Sequence, residues 1–263
     1  MLIQGDCLEA MKTMETNSID LLFCDLPYGQ TSCKWDCLID LDLFWKQVNR
    51  ICKERTPMFF TCSTKFGVSL INSNPKNFRY DLVWIKSAPC GFLNAKKMPM
   101  KKHEMVYVFY KKLPLYDLSS HTHKFVKETE NKRNGKDGID NKGCYKNRSK
   151  TEICNKYDPP LPTSVVKEGC YKDVIRTNDS AYDPPLPNSL LEIKSEKGKH
   201  PTQKPTALVE WCLKYYSKEG DTVLDPTMGS GSTGVACKNM NRQFIGIEQD
   251  EKIFKVAQSR IDL

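Results

Sequence analysis

No run in the 263 residues approaches the ~18 to 20 consecutive apolar residues that a membrane-spanning helix needs. The opening MLIQGDCLEAM also lacks the basic-then-apolar order of a secretory signal, so a cytoplasmic location is the expectation. Paired cysteines are missing as well. The 12 cysteines are scattered singly, no C-x-x-C occurs, and the nearest spacing, Cys33 and Cys37, has no second pair or histidine cluster beside it. A zinc site is therefore not expected, and the thiols read as reduced and mostly core filler.

What the chain does have is apolar content and positive charge. At 39% hydrophobic and 10% aromatic residues it can build one α/β domain with a core, plus an appended segment. The formal net charge of +8 suits a polyanionic partner, because lysines and arginines release counterions condensed on phosphates.

Up to about residue 112, short β-rich runs alternate with a helical pattern. SIDLLFCD (18–25), PMFFTC (57–62), FRYDLVWIK (78–86) and HEMVYVFYK (103–111) read as strands. Residues 41–52 read as a helix, with Leu41, Phe44, Trp45, Val48, Ile51 and Cys52 on one face. Between about 113 and 199 the chain turns lysine- and asparagine-rich, with prolines and little apolar periodicity, as a surface insert would. A unit of about 25 residues occurs there twice, Cys144-Tyr-Lys-Asn with Tyr157-Asp-Pro-Pro-Leu-Pro returning as Cys170-Tyr-Lys-Asp with Tyr182-Asp-Pro-Pro-Leu-Pro. Two proline-stiffened turns packed together, or paired tyrosine-and-lysine fingers on DNA, both fit this duplication. From 200 onward the α/β pattern resumes, with helix 206–217, strand TVLD (222–225), a glycine loop, a helix to about 240, strand QFIGIE (243–248) and a last helix.

The glycine loop, Asp225 to Gly234, lies between a strand and a helix, and Gly229, Gly231 and Gly234 spell G-x-G-x-x-G. Glu248 ends the next strand, placed to accept hydrogen bonds from ribose hydroxyls. A nucleoside-bearing ligand follows, and a nicotinamide dinucleotide would satisfy the pattern equally. Two features argue against it. Only 15 residues follow Glu248 in this sequence, too few for a second mononucleotide-binding half, so the N-terminal strands must complete the sheet. Asp225-Pro226 also places a carboxylate where a pyrophosphate would be repelled and a cationic amino-acid portion welcomed. S-adenosylmethionine carries such a portion.

Asp25-Leu26-Pro27-Tyr28 closes a strand, where α/β sheets place their ligands. An exocyclic amine on a base is a poor nucleophile, because its lone pair is delocalised into the ring. Asp25 and the carbonyl of Leu26 can draw its two hydrogens out of plane, and the carboxylate can stabilise positive charge arriving on nitrogen. Tyr28 can stack on a base rotated out of a duplex.

These residues, with His200-Pro-Thr-Gln-Lys-Pro205 and Asp225-Pro-Thr-Met-Gly-Ser-Gly231 after them, resemble the β-group of DNA amino-methyltransferases. The resemblance implies a class I methyltransferase of permuted motif order: a Rossmann-like mixed, mostly parallel sheet flanked by helices, with an inserted target-recognition region. Its catalytic half would be 1–112, the insert 113–199 and the cofactor-binding half 200–263. By that resemblance Asp225, Pro226, Gly229, Ser230 and Gly231 would line the methionine end of S-adenosylmethionine, and Glu248 its ribose. Asp6 and Cys7 of the Gly5-Asp6-Cys7 turn would meet its adenine side, and Thr202 and Lys204 its carboxylate. Asp25, Leu26, Pro27 and Tyr28 would form the base pocket. Leu26 stands where the family more often has proline, which a backbone acceptor tolerates. An Asp-led tetrapeptide favours adenine N6 over cytosine N4 as target. Duplex DNA is the implied partner, and the sequence leaves open whether a restriction endonuclease accompanies it. Lys96, Lys97, Lys101 and Lys102, beside the glycine-started stretch Gly91–Pro99, would contact phosphates, or simply face water. A nucleic-acid-binding module that keeps the cofactor site without catalysis remains the reading from another class.

Overall fold

The computed structural model describes residues 1–29, 37–90, 97, 101–120, 122–123, 182–183, 190–196 and 203–262. In chain order the first elements are β1 (Leu2–Gln4), α1 (Cys7–Lys12), β2 (Leu21–Cys24), α2 (Leu41–Ile51), β3 (Met58–Cys62) and α3 (Thr64–Ser73). There follow β4 (Phe78–Cys90), β5 (Lys101–Phe109), β6 (Thr122–His123), β7 (Tyr182–Asp183) and β8 (Leu190–Glu192). The last are α4 (Thr206–Tyr216), β9 (Thr222–Asp225), α5 (Ser232–Asn239), β10 (Gln243–Glu248) and α6 (Glu251–Asp262). Two units emerge, one of Met1–Asp117 with Ser189–Leu263 and one of Leu118–Asn188.

The larger unit is built on one eight-stranded sheet of order β1-β10-β9-β2-β3-β5-β4-β8. All strand pairs are parallel except those of β5, which runs against both β3 and β4. This is the mixed, mostly parallel sheet expected. As expected too, N-terminal strands complete it: β2 lies beside β9, with Leu21 opposite Val223 and Leu22 opposite Leu224. In the second unit, β6 and β7 pair antiparallel, so Tyr182 of the second duplicated copy sits opposite His123. The rest of the duplication lies outside the described residues.

Both faces of the central strands are covered, which is why Leu21–Cys24 and Met58–Cys62 read as unbroken apolar runs and are buried throughout. Helix α2 opens on Asp40, whose carboxylate accepts from the backbone of Asp42 and Leu43, and buries Phe44, Trp45, Val48 and Ile51. Trp45 meets Phe60 at 5.4 Å between ring centroids and Phe109 at 5.3 Å, locking helix to sheet. Truncating Phe60 to alanine would cost about 3 to 5 kcal/mol, the usual loss for a fully buried aromatic. Cys7, Cys24, Cys52, Cys62, Cys212 and Cys237 are buried thiols without disulfides, in keeping with their reading as core filler. No described helix is long and apolar enough to cross a membrane.

Several elements were not foreseen. β1 has three residues, too few for a periodic signal, and is held by pairing with β10. α3 is capped by Ser63, but Gly67 breaks its apolar pattern; a side chain there would collide with Tyr107. β8 sits in a lysine- and proline-rich context yet pairs with β4 in the main sheet. Cys52, expected inside the second helix, is its extended C-cap.

Candidate active site

The carboxyl ends of β1, β10, β9 and β2 share one edge of the sheet, because these strands are parallel neighbours. That edge carries, in order, Asp6 and Cys7, then Glu248, then Asp225 and the glycine loop, then Asp25 and Tyr28. The chain turns to opposite sides after β9 and β2, so a crevice opens between them, where open α/β sheets hold ligands. One contact ties the two strand ends together. Thr227 donates its hydroxyl to the backbone carbonyl of Asp25 at 3.1 Å and lies 3.4 Å from the Cys24 thiol. Residues about two hundred positions apart in the chain thus meet directly.

Around Asp25, three donors converge. Its Oδ1 accepts from the Tyr28 hydroxyl at 2.5 Å and the Thr61 hydroxyl at 2.7 Å, and its Oδ2 from the Lys204 ammonium at 2.7 Å. The same Tyr28 hydroxyl lies 3.0 Å from the Thr61 carbonyl, which shares its one proton with Asp25, and its ring packs on Phe66 at 5.3 Å. Burial, then the nearby Asp25 charge, pushes the Tyr28 pKa far up, so the phenol keeps its proton. Leu26 is buried, and Pro27 fixes the backbone that presents both neighbours.

The resemblance would have Lys204 meet a ligand carboxylate; in the structure its ammonium is held by two carboxylates of the protein. It pairs with Asp25 at 2.7 Å and with Glu104 at 3.1 Å, and Glu104 pairs in turn with Lys86 at 2.7 Å. Burial works against the charge of Lys204, yet Asp25 and Glu104 outweigh it and push its pKa up. For Glu104, burial works to raise the pKa, and Lys204 and Lys86 pull it below the ordinary carboxylate value. Thr61, Glu104 and Lys86 were not singled out in the sequence. The available signal was a charged residue at an inward position of an apolar alternation, Glu104 in HEMVYVF.

Asp225 is different. It is 4% exposed, and its oxygens accept from the Thr227 amide at 3.1 Å and the Thr233 hydroxyl at 2.5 Å. Burial raises its pKa to about 7 against the lowering effect of those hydrogen bonds. The expected role of meeting a cationic ligand is therefore joined by another, closing the turn on itself. A carboxylate has about four acceptor positions, so lone pairs remain for a ligand. Pro226 follows within the same turn. Gly231 has φ +81°, and a Cβ there would press on Ala257 of α6, so only glycine fits the start of α5. Gly234 lets α5 lie against Ile261 and Phe244.

Glu248 accepts from the Gly229 amide at 3.0 Å and the Asp250 amide at 2.9 Å, which fixes its head beside the loop. Burial raises its pKa. Ser230 is buried, held by Arg260 of α6 through its carbonyl at 2.6 Å and its hydroxyl at 3.0 Å. Asp6 spends one oxygen capping α1, accepting from Leu8 and Glu9, and the thiol of Cys7 is buried beneath it. The residues present fit a nucleoside with a charged tail: an open backbone cradle, an acceptor pair on Glu248 and a helix N-terminus. Lys101 and Lys102 are exposed at the start of β5, on this same edge because β5 runs backwards, and Lys97 is exposed in the preceding connection. Thr202, Lys96 and most of the Gly91–Pro99 stretch lie outside the described residues.

The family model for DNA methylases, of N6 and N4 type, matches residues 19–259. The chain belongs to this DNA methylase family. It is 45% identical over 87 residues to the type II methyltransferase M2.DpnII of Streptococcus pneumoniae, a stretch covering 32% of each chain. The chain thus spans about a third of the length of that relative. To the type II methyltransferase M.HinfI of Haemophilus influenzae it is 26% identical over 272 residues, covering 99% of this chain and 67% of the other. Among solved structures, M1.HpyAVI in complex with SAM superposes with a TM-score of 0.60 at 22% identity, over 100% of this chain and 99% of that one. The cytosine-N4-specific PvuII DNA methyltransferase gives 0.64 at 16% identity, over 98% and 85%. These likenesses establish the shared fold.

Proposed function

We propose that this DNA methylase transfers a methyl group from S-adenosylmethionine to the N6 amino group of adenine in duplex DNA. The observation that carries the reading is the Thr227 to Asp25 hydrogen bond, which seats the carboxylate and the glycine loop in one crevice. Bound S-adenosylmethionine supplies an electrophilic methyl on a sulfonium. Glu248 would accept from its ribose hydroxyls, Asp225, Pro226 and the loop 229–231 would hold its methionine end, and Asp6 and Cys7 its adenine. Thr202, outside the described residues, would meet its carboxylate.

The target base leaves the helix and enters beside Tyr28, backed by Phe66. Asp25 accepts one amino hydrogen and the Leu26 carbonyl the other, which aims the nitrogen lone pair in line with the transferable methyl. The Asp25 carboxylate then stabilises the positive charge on nitrogen and serves as first acceptor of its surplus proton. Lys96, Lys97, Lys101 and Lys102 hold the phosphates on either side, and the 113–199 insert reads the sequence, with positioning and readout divided between them.

Incubating the protein with methyl-labelled S-adenosylmethionine and unmethylated genomic DNA, then digesting to nucleosides, is the test. Label in N6-methyladenosine is expected. Label in N4-methylcytosine would establish the second reading, which the likeness in fold to the PvuII enzyme favours. Tight DNA binding without transfer would identify a non-catalytic module, and stabilisation by NADH alone an oxidoreductase.

A further inference from the structure

Lys86, Glu104, Lys204 and Asp25 form a row of alternating charge beneath the crevice, with successive separations of 2.7, 3.1 and 2.7 Å. They come from four separate segments: β4, β5, the approach to α4 and the end of β2. The side chains of Lys204 and Glu104 are 13% and 10% exposed, so solvent screens them little. Lys204 is the joint of the row. A lysine is a point charge on a flexible four-carbon stem, and one carboxylate would leave it free to swing. Two carboxylates on different strands do not. Glu104 Oε1 is buried and meets Lys204 as an ion pair at 3.1 Å, with no other donor on it among the described residues.

We infer that Glu104 is a positioning residue for methyl transfer, holding the Lys204 ammonium against Asp25 and so fixing the plane in which Asp25 receives the amino hydrogen. The inference rests on the reading of Asp25 as the amine acceptor.

Lys204 meets Asp25 from the end of β2 and Glu104 from β5, Cys62 of β3 feels its charge, Tyr28 shares the Asp25 carboxylate with it, and Lys86 of β4 pairs with Glu104. Tyr28 and Cys62 both have pKa values pushed up, chiefly by burial, and stay neutral. Asp25 and Glu104 are therefore the two charges that keep a buried lysine protonated. Glu104→Gln removes one of them, and the remaining desolvation draws the Lys204 pKa down.

The experiment measures kcat, DNA KM, cofactor Kd and the pH dependence of transfer for the full chain, with labelled S-adenosylmethionine and unmethylated genomic DNA. For Glu104→Gln, kcat falls about 10- to 100-fold while KM and Kd stay near wild type, as for a misoriented catalytic group. The variant also loses activity at alkaline pH where wild type does not. Glu104→Asp recovers part of kcat and the alkaline activity, and Glu104→Gln added to Lys204→Met costs nothing further. Wild-type kcat and pH profile in Glu104→Gln would overturn the inference. Should that variant not fold, Glu104→Asp decides: a several-fold lower kcat with unchanged cofactor Kd supports the role, and wild-type kcat overturns it. A wild-type protein that transfers no methyl overturns the functional reading itself, whereas wild-type transfer with an indifferent Glu104 overturns this role alone.

Discussion

Two aspartates end neighbouring strands of one sheet and live in opposite conditions. Asp25 is partly open and gathers a lysine, a tyrosine and a threonine around its carboxylate. Asp225 is sealed, has a backbone amide and one hydroxyl for partners, and holds its proton up to about pH 7. Lys204 gives the Asp25 carboxylate an opposite charge 2.7 Å away. Asp225 has no such relief, and its burial is a cost the fold bears to close the loop. Side chains alone surround the Asp25 carboxylate, whereas a backbone amide shares in holding Asp225.

The sharpest way to break that contrast is Asp25→Ala. Transfer should fall by at least about a thousandfold, as when a group aimed at developing charge is removed, with cofactor Kd nearly unchanged. Full activity would remove Asp25 from the chemistry. Next comes Asp225→Asn, which keeps the shape and ends the titration. In the folded protein the Asp225 pKa lies near 7, against an ordinary 3.8, so the native state holds a proton that the unfolded chain has lost. Stability from this group is therefore intact at pH 4 and below, and declines as pH rises toward 7, by at most about 4 kcal/mol. The Asn variant should melt above wild type at pH 8, the difference should vanish at pH 4, and cofactor Kd should weaken. A pH-independent difference in melting temperature would deny the buried titration.

Smaller effects separate the two sides further. Arg260→Ala removes the donor to Ser230 and should raise cofactor Kd about tenfold, leaving DNA KM alone. Lys101→Ala and Lys102→Ala should do the reverse, each weakening DNA binding modestly and lowering the salt slope by about 0.9, seen in binding titrations at several salt concentrations. An effect of either lysine on cofactor Kd would argue that the two sides are not separable.

The strands that carry the site were legible because covered strands announce themselves as apolar runs: β9 and β10 fall on 222–225 and 243–248, as read from the sequence. Asp25, Tyr28 and the glycine loop were legible for another reason, as each is local, a few residues whose spacing alone implies a turn at a strand end. Thr61, Lys86 and Glu104 were not, since each sits singly in an ordinary strand and acquires partners only when β3 meets the end of β2 and β4 and β5 meet the approach to α4. The same holds for Lys204. Its sequence neighbours suggested a helix entry and a ligand carboxylate, whereas its partners lie on strands formed some hundred or more residues earlier.

The reversed direction of β5 makes one register do two jobs. With Met105 opposite Cys62 of β3, the acid at 104 points into the protein at the level where the parallel strands give out, and the lysines before it emerge into solvent. Successive residues of a strand alternate faces, so sliding β5 by a single position would turn His103 or Met105 inward in place of the acid. A ladder error of one residue would therefore part Glu104 from Lys204, and the apolar grip of Val106, Val108 and Phe109 on the core is what guards against it.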